Sequence, residues 1–372
     1  MIKNPKVLII SARAGAGHVK AAESLFAQAH IQFPEWHTEH IDLVDYSTPL
    51  IKAAYTRGYV DMVKLLPELY AFGYNNFRVA KKVLKPGSLI DRFNHAKLFK
   101  KIAEFQPQVV ISTHFIPPAL LYNYRKRKLA KFKTLTVLTD YEYHPIWNSQ
   151  SDFYTTAIEE MRFSMELDGI PGKLISVTGI PTHPKFNHVQ SAARMRRKLK
   201  LSAKTPVVLI TAGSLGVSSI SDFINHLRLV THSFQAVVVC GSDAKTFAKM
   251  KHYKTRDPRI KLVVGFTHEM ENLLQASDFV VTKPGGLTTT ECLVVGKPML
   301  LLNPIPGQEE ANASYLTMSG AAWIARGTGP LLYKFKELIT SPDKRKVMAG
   351  MAKKIAKPNA AKDIMLLASK LI

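Results

Sequence analysis

Short runs of apolar, largely β-branched residues alternate with helical stretches along most of the 372-residue chain. These runs lack the polar–apolar alternation of a strand with one solvated face, so they predict strands buried on both faces of a parallel sheet. Their alternation with helices predicts an α/β fold made of doubly wound, Rossmann-like units. The runs form two series, residues 7–10, 109–111, 135–138 and 174–177, then residues 207–210, 236–239, 260–263, 279–281 and 299–301.

The two series are separated near residues 180–205, where two prolines and a basic helical segment interrupt the pattern. The chain is also about two to three times as long as a typical domain. We therefore predict an N-terminal domain at residues 1–180, a second domain at 181–330 and C-terminal helices at 331–372. We expect the two domains to face a cleft.

The composition limits the partners and the setting of the protein. Lys and Arg number 51 against 28 Asp and Glu, a net charge of +23 that favours nucleic acid, membrane lipid or phosphorylated substrates as partners. The two cysteines, Cys240 and Cys292, lie in apolar runs, which disfavours disulfides or a cysteine zinc site and favours a reducing compartment. No apolar run approaches the ~20 residues of a transmembrane helix, and the first residues do not resemble a signal peptide. We expect a cytosolic protein, with binding to a membrane surface open at this point.

Much of the positive charge lies in residues 52–133, which contain 17 Lys or Arg and 4 Asp or Glu. Eight Tyr and Phe residues between positions 55 and 99 are interleaved with these charges. The mixture fits anionic lipid, where cations meet headgroups and rings lie at the interface, or single-stranded nucleic acid, whose bases stack on rings. It fits equally well an aromatic core beneath a solvated face of lysines. No RNA-binding signature accompanies the basic run at residues 125–133.

The sequence Ala-Gly-Ala-Gly-His at residues 14–18 follows the first predicted strand and opens the first helix. Its glycines let a ligand approach the backbone, and a helix N-terminus favours anions. It is not a dinucleotide fingerprint, because Lys20 occupies the third glycine position. His18 lies where ligands of open α/β folds bind, and its pKa near neutrality suits a general base. A histidine that caps the helix start is the alternative.

A second candidate site follows the strand at 279–281, where residues 283–291 read Lys-Pro-Gly-Gly-Leu-Thr-Thr-Thr-Glu. A strand, a glycine pair and a hydroxyl-rich helix start together cradle phosphate through free backbone N–H groups. Thr288 and Thr289 would add hydroxyl donors, and Glu291 would accept from two vicinal sugar hydroxyls. The alternative for Glu291 is a capping box, in which its carboxylate reaches back to the N-cap amide.

Three more polar loops follow predicted strands. A cluster after residues 299–301 would bond sugar hydroxyls, or match an acidic helix start to its dipole; it consists of Gln308, Glu309 and Asn312. The loop after residues 207–210 contains Gly213 and Ser214, another candidate phosphate loop. Residues 139–147 combine Asp140 with a histidine and three aromatic residues, and Asp140 would be an acid, a base or a structural acceptor.

Taken in order, these motifs make the chain resemble the processive diacylglycerol glucosyltransferases and plant monogalactosyldiacylglycerol synthases of glycosyltransferase family 28. These enzymes are relatives of the peptidoglycan N-acetylglucosaminyltransferase. The similarity spans about residues 5–325, and the order and spacing of the pieces carry it. The matching pieces are residues 7–11, 15–18, 21–22 and 112–114, Thr139 and Asp140 with His144 and Trp147, residues 178–181 and 265–267 with Met270, residues 283–286, Glu291, and residues 306–309 with Asn312.

The resemblance implies a GT-B fold, with the lipid acceptor on the N-terminal domain and the nucleotide sugar on the second. It implies an inverting transfer that uses no metal and no cofactor, the UDP-sugar being the donor substrate. His18 matches the base that deprotonates the acceptor hydroxyl. The implied acceptor-binding residues are Gly17, Asp140, Tyr143 and Trp147. The implied donor-binding residues are Gly213, Ser214, Phe266, Thr267, Gly285, Gly286, Leu287, Thr288, Glu291, Gln308, Glu309 and Asn312.

We therefore expect a peripheral enzyme at the cytoplasmic face of the cell membrane. It transfers a hexose, glucose in preference to galactose, from a UDP-sugar to diacylglycerol, and the number of sugars added stays open. Residues 52–133 would contact anionic lipid, and no nucleic-acid partner is expected. One alternative is N-acetylglucosaminyl transfer to a polyprenyl-linked peptidoglycan precursor. Another is a catalytically silent basic protein that binds membrane or nucleic acid, because the loops at 13–17 and 211–213 contain fewer glycines than the family pattern.

Overall fold

The computed structural model describes residues 4–13, 15–53, 94–126, 131–188, 190–211 and 223–372. Most of the basic, aromatic-rich segment 52–133 and the predicted donor residues Gly213 and Ser214 lie outside these ranges. The chain divides into two compact units. The first comprises Met1–Pro184, Pro306–Gln308 and Lys357–Ile372, and the second comprises Lys185–Ile305 and Glu309–Ala356.

The first unit is built on a six-stranded parallel sheet. Its strands are β1 (Lys6–Ser11), β2 (His37–Asp42), β3 (Val109–Ser112), β4 (Lys133–Val137), β5 (Phe153–Thr156) and β6 (Ile175–Val177). The helices described in it before β6 are α1 (Ala16–Gln32), α2 (Pro49–Ala53), α3 (Ala96–Phe105), α4 (Ile116–Lys126) and α5 (Glu159–Leu167). The strand order β2-β1-β3-β4-β5-β6 reverses between β1 and β3. Ligands of open α/β sheets bind at the carboxyl edge beside such a reversal.

Successive residues of β1 point to opposite layers of helices, which explains its unbroken apolar sequence. Val7 and Ile9 pack in the core formed with α1. Leu8 and Ile10 pack in the core formed with α3 and α4. All four side chains are fully buried. Strand β1 is therefore held from both faces, and the loop that follows it starts from a fixed point.

The second unit repeats this architecture. Its strands are β7 (Val207–Thr211), β8 (Gln235–Val239), β9 (Ile260–Val264), β10 (Phe279–Thr282), β11 (Met299–Leu302) and β12 (Ala322–Ala325). Its helices are α6 (Ala192–Lys198), α7 (Ala244–Arg256), α8 (Met270–Ala276), α9 (Gly286–Val295), α10 (Gln308–Met318), α11 (Thr328–Thr340) and α12 (Pro342–Ile355). The parallel strands run in the order β12-β11-β10-β7-β8-β9, so the reversal lies between β7 and β10.

The last helix, α13 (Ala360–Ser369), returns to the first unit. Its apolar residues, Ala361, Ile364, Met365 and Ala368, join α1 in covering one face of the first sheet. The helices predicted at 331–372 are present, but they are divided between the units, because α11 and α12 belong to the second.

The prediction of two doubly wound, Rossmann-like α/β units is confirmed by these two sheets. Three strands, β2, β5 and β12, had no counterpart among the predicted apolar runs. β2 and β12 are edge strands, and β2 buries only Thr38 and Ile41 among more exposed polar residues, so it forms no apolar run. β5 buries hydroxyl-bearing residues, Tyr154, Thr155 and Thr156. In the described part of the chain, no helix combines the length and apolarity that crossing a membrane requires.

Candidate active site

The first candidate centre lies at the carboxyl edge of the first sheet, beside the reversal of strand order. His18 is the third residue of α1, Thr113 follows β3 and Thr139 lies two residues beyond β4. Because β1, β3 and β4 are neighbouring parallel strands, their carboxyl ends meet at this edge. Residues almost 100 positions apart in the sequence are thereby brought into contact.

Two threonines hold His18. The ring Nδ1 lies 2.7 Å from the backbone carbonyl oxygen of Thr113 and 3.0 Å from the hydroxyl oxygen of Thr139. The hydroxyl of Thr113 donates to the backbone carbonyl of His18 over 2.8 Å. A carbonyl oxygen only accepts hydrogen bonds, so Nδ1 carries the ring proton and Nε2 keeps its lone pair. The neutral imidazole is thus arranged to accept a proton at Nε2.

Aromatic side chains form the walls around this imidazole. The ring of His114 meets that of His18 edge to face, with centroids 4.7 Å apart and planes at 81°. The indole of Trp147 lies 6.2 Å from the His18 ring and 5.8 Å from that of Phe115. Trp147 is only 3% exposed. The predicted acceptor-binding residue Trp147 is therefore buried beside His18 and does not project from the surface.

The electrostatic surroundings keep both imidazoles neutral at pH 7. Burial lowers the pKa of His18, while the negative charge of Asp140 and the Thr113 carbonyl oppose this effect. Burial, together with the neighbouring His18, lowers the pKa of His114 well below its usual range. A base with a lowered pKa is already deprotonated at neutral pH, which suits proton abstraction.

The glycine loop leaves the start of α1 open. Gly15 is the N-cap, with φ 126° and ψ 160°, and among the described residues no side chain caps the helix. The alternative that His18 caps this helix is therefore wrong, since its ring bonds to Thr113 instead. A Cβ atom built on Gly15 or Gly17 meets no described atom within 4 Å. The predicted acceptor residue Gly17 thus borders open space.

Tyr143 anchors the loop at residues 139–148. Its hydroxyl donates to Asp168 Oδ2 over 2.5 Å, and the Asn148 side chain donates to the same oxygen over 3.1 Å. Burial and the Asp168 carboxylate raise the pKa of Tyr143. Asp168 ends α5, so this helix fixes the loop that contains Asp140 and Trp147. The hydroxyl of the predicted acceptor residue Tyr143 is therefore hydrogen-bonded within the protein, to Asp168.

The second candidate centre lies at the carboxyl edge of the second sheet, where α9 begins after β10. Gly285 is the N-cap, and no side chain of the described residues caps the helix. Thr289, expected to offer a hydroxyl, is fully buried and donates back to the carbonyl oxygens of Gly285 (2.9 Å) and Gly286 (3.1 Å). That expectation is wrong, because a hydroxyl at this helical position bonds its own preceding turn.

The other predicted donor residues of α9 differ in exposure. Leu287 is buried, whereas Thr288 and Glu291 are half-exposed. Glu291 is the sixth residue of the helix, so a capping box is excluded, since the third position belongs to Thr288. The backbone N–H groups of the first turn and the Thr288 hydroxyl are what this helix start can present to an anion.

The predicted cluster after β11 is held by hydrogen bonds. Gln308 is the first residue of α10. Glu309 Oε2 accepts from the backbone amide of Ile305 over 3.0 Å. Asn312 is 1% exposed and donates its side-chain amide to the carbonyl oxygen of Pro284 over 3.0 Å. Asn312 therefore ties α10 to the residue that precedes the glycine pair.

The predicted donor-binding residues Phe266 and Thr267 follow β9. Phe266 is 56% exposed and meets the ring of His268 edge to face, with centroids 4.9 Å apart. The hydroxyl of Thr267 accepts from the backbone amide of Glu269 over 3.0 Å, just before α8.

Sequence reasoning assigned no role to Thr113, His114 or Thr139, which surround His18. A signal was present in the sequence, because Thr113 and His114 follow the apolar run of β3 and Thr139 follows that of β4, and both runs predict strands of the same parallel sheet as β1. In the described ranges, no group of three or more His, Cys, Asp or Glu side chains lies close enough together to hold a metal ion.

Comparison with known proteins gives matches over nearly the whole chain. The sequence family described as monogalactosyldiacylglycerol (MGDG) synthase matches residues 18–182, and the glycosyltransferase family 28 C-terminal domain matches residues 207–365. The chain is 30% identical to the processive diacylglycerol beta-glucosyltransferase of Bacillus cereus (strain ATCC 10987 / NRS 248) over 377 residues, covering 98% of this chain and 93% of that one. It is 27% identical to the enzyme of the same name from Bacillus subtilis (strain 168) over 346 residues, covering 92% and 89%. Among solved structures, MurG of Acinetobacter baumannii matches with a TM-score of 0.63 and 17% identity, covering 98% and 99%.

Proposed function

Because the chain belongs to the family of processive diacylglycerol β-glucosyltransferases, we propose that it transfers glucose from UDP-glucose to the free hydroxyl of diacylglycerol with inversion. The fold is GT-B, as its two Rossmann-like units and its likeness to a solved structure over 98% of the chain indicate. The observation that carries the proposal is the arrangement of His18, whose Nδ1–H bonds the Thr113 carbonyl and whose Nε2 keeps its lone pair.

The transfer proceeds in one displacement. The diacylglycerol hydroxyl gives its proton to Nε2 of His18 as its oxygen attacks the anomeric carbon of the glucose. The bond from that carbon to the UDP oxygen breaks, and its electron pair stays on the departing β-phosphate. An α-linked donor thus gives a β-glucoside, and the proton on His18 passes to solvent afterwards. The resemblance gives Gly17, Asp140, Tyr143 and Trp147 as acceptor-side residues, and they keep that role in the proposal.

The departing diphosphate is stabilised by the backbone. The uncapped amides at the start of α9, beside Gly285 and Gly286, favour negative charge through their N–H groups and the helix dipole. Such donors are fixed before the reaction, so they act without reorganisation as charge develops on the leaving group. In this proposal Glu291 accepts from the two vicinal hydroxyls of the UDP ribose, and Gln308, Glu309 and Asn312 bind the glucose and the phosphate. No metal ion or other cofactor takes part.

We also propose that the enzyme works as a peripheral protein at the cytoplasmic face of the membrane. The net charge of +23 supports this, since anionic leaflets attract basic proteins. Sedimentation with vesicles tests it directly. The protein should pellet with vesicles that contain an acidic phospholipid and stay in the supernatant with neutral ones, and binding should weaken as salt is raised.

A transfer assay tests the function. Purified protein is mixed with vesicles containing diacylglycerol and offered radiolabelled UDP-glucose, UDP-galactose or UDP-N-acetylglucosamine in parallel, with and without EDTA. Label from UDP-glucose should enter the lipid phase, and EDTA should not change the rate. Label transferred from UDP-N-acetylglucosamine to a polyprenyl-linked precursor instead would contradict the acceptor. Folded protein that transfers no sugar, yet binds polynucleotide in a salt-dependent way, would contradict the enzyme itself.

A further inference from the structure

Thr139 contacts the proposed base without any role in the chemistry described so far. The residue is 4% exposed, and its hydroxyl oxygen lies 3.0 Å from Nδ1 of His18. The backbone amide of the preceding Leu138 donates to the carbonyl oxygen of Thr155 over 3.0 Å, so the chain stays paired with β5 beyond the end of β4. The sheet therefore sets the position of the Thr139 hydroxyl.

Two acceptors at one N–H restrain the orientation of the His18 ring more than a single acceptor does. The Thr113 carbonyl oxygen, 2.7 Å from Nδ1, favours the tautomer with hydrogen on Nδ1, and a second acceptor at the same N–H favours it further. A single hydrogen bond still lets the ring tilt about its Cβ–Cγ bond, which moves Nε2. A second oxygen, on a different strand, shares the same N–H and limits that tilt. Rotation of the ring by half a turn would lose both contacts and carry Nε2 away.

We propose that Thr139 is a positioning residue of the glycosyl transfer, which holds the His18 ring in the plane and tautomer that aim Nε2 at the acceptor hydroxyl. The inference rests on the proposed function, in which His18 is the base. Thr139 touches no substrate in this proposal and acts through His18. Its loss should therefore lower kcat and leave the KM for UDP-glucose unchanged.

The test compares three substitutions that keep the size of the side chain nearly constant. Thr139→Val removes the oxygen and keeps the shape, and Thr139→Ser keeps the oxygen. Thr155→Val is the matched control, because Thr155 is also a buried threonine at this sheet and its hydroxyl has no hydrogen-bond partner among the described residues. Thermal melts of all three show whether the fold is retained, and Thr139→Ala replaces the valine variant if that one does not fold.

The expected result is a split between these variants. Thr139→Val should lower kcat about tenfold, the effect of about one lost hydrogen bond in the transition state. Thr139→Ser should stay within about twofold of wild type, and Thr155→Val should match it. If Thr139→Val retains full kcat, or if Thr155→Val loses as much activity, the positioning role is overturned.

The tautomer of His18 gives a readout that does not depend on turnover. In protein with 15N-labelled histidine, the His18 signal, assigned by its loss in His18→Asn, should show hydrogen on Nδ1 in the wild type. Thr139→Val should increase the Nε2–H form. Wild-type protein with hydrogen on Nε2 would overturn the inference. Wild-type protein with the expected tautomer that fails to transfer glucose would overturn the proposed function and leave the effect of Thr139 on His18 standing.

Discussion

Two helix starts, that of α1 in the first unit and that of α9 in the second, share one backbone arrangement and differ in the groups that they present. Each follows a strand beside the reversal of its sheet, and each begins after a glycine with no capping side chain among the described residues. A Cβ atom built on Gly15 or on Gly285 meets no described atom within 4 Å. At both starts the first-turn N–H groups are therefore without a side-chain cap among the described residues, and the space beside the N-cap glycine is open.

The difference lies in what the next residues do. In α1, His18 points to the neighbouring strands and is bound by Thr113, with Nε2 left to take a proton. In α9, Thr289 and Thr290 turn their hydroxyls back onto carbonyl oxygens of the first turn. One start presents a titratable group of fixed tautomer and the other presents mainly the backbone. In the proposed function, proton transfer belongs to the start in the first unit and anion binding to the start in the second.

The largest expected effect removes the titratable group from the first start. His18→Ala should lower kcat about 10³-fold, since positioned general bases contribute about 10²–10⁴-fold. UDP binding, measured by calorimetry, should stay unchanged because the second unit is untouched. His30→Ala is the control, because His30 lies near the end of the same helix with its ring bonded to the carbonyl oxygen of Phe26. A His18→Ala enzyme with wild-type kcat would show that the start of α1 does not supply the base, so the proposed difference between the two helix starts would be wrong.

This comparison also shows how much of the fold could be predicted from the sequence. The continuous apolar runs predicted the central strands of both sheets, because burial on both faces leaves no polar position within a run. Strand β2 has no such run, because it lies at an edge and its two buried residues, Thr38 and Ile41, are separated by titratable ones. Helix α13 could not be assigned to the first unit, since its apolar face fits either core equally well in sequence.

The site was predicted in part for the same reason. His18 and the glycine pair at 285–286 follow recognisable strands, so their place at a sheet edge could be inferred. What the sequence did not show was which atom takes each hydrogen bond. The contacts from His18 to Thr113 and Thr139 join strands far apart in the chain, and a local pattern contains no such information. The Thr289 hydroxyl was predicted to face a ligand, but its position in the helix directs it to the carbonyl oxygen of Gly285.

A pair of glycine substitutions separates the two starts by backbone geometry. Gly15 has φ 126° and ψ 160°, a conformation that is essentially restricted to glycine, whereas Gly285 has φ −71°, which any residue adopts. Gly15→Ala should cost about 2 kcal/mol of backbone strain and lower activity about 30-fold. Gly285→Ala should fold with an unchanged melting temperature and raise the KM for UDP-glucose severalfold, because its methyl group faces the space that the diphosphate takes in the proposal.

Kinetics and thermal melts of the two alanine variants provide the check. Equal losses of kcat with unchanged KM in both would mean that the two helix starts do the same work. A Gly15→Ala protein as active as the wild type would show that the glycine loop needs no special backbone conformation for catalysis.

The smallest expected effect concerns the charge beside His18, and it is a shift in pH dependence. The lowered pKa of His18 means that kcat/KM falls only when the pH drops below the ordinary histidine value of about 6.5, as Nε2 becomes protonated. The negative charge of Asp140 favours the imidazolium and therefore raises the pKa of His18. Asp140→Asn removes that charge. The fall of kcat/KM on the acid side of the pH profile (the acid limb) should therefore move to still lower pH.

At pH 7 the Asp140→Asn enzyme should keep its proton-transfer rate, because His18 is neutral in both forms. Asp140→Glu keeps a carboxylate at this position and is the matched control, whose acid limb should stay close to that of the wild type. In the proposal the second unit contributes no titratable group to this step, so a donor-binding variant such as Gly285→Ala should also leave the low-pH fall of kcat/KM in place. If Asp140→Asn moves the limb to higher pH, or Gly285→Ala moves it at all, the assignment of proton transfer to the first start alone is contradicted.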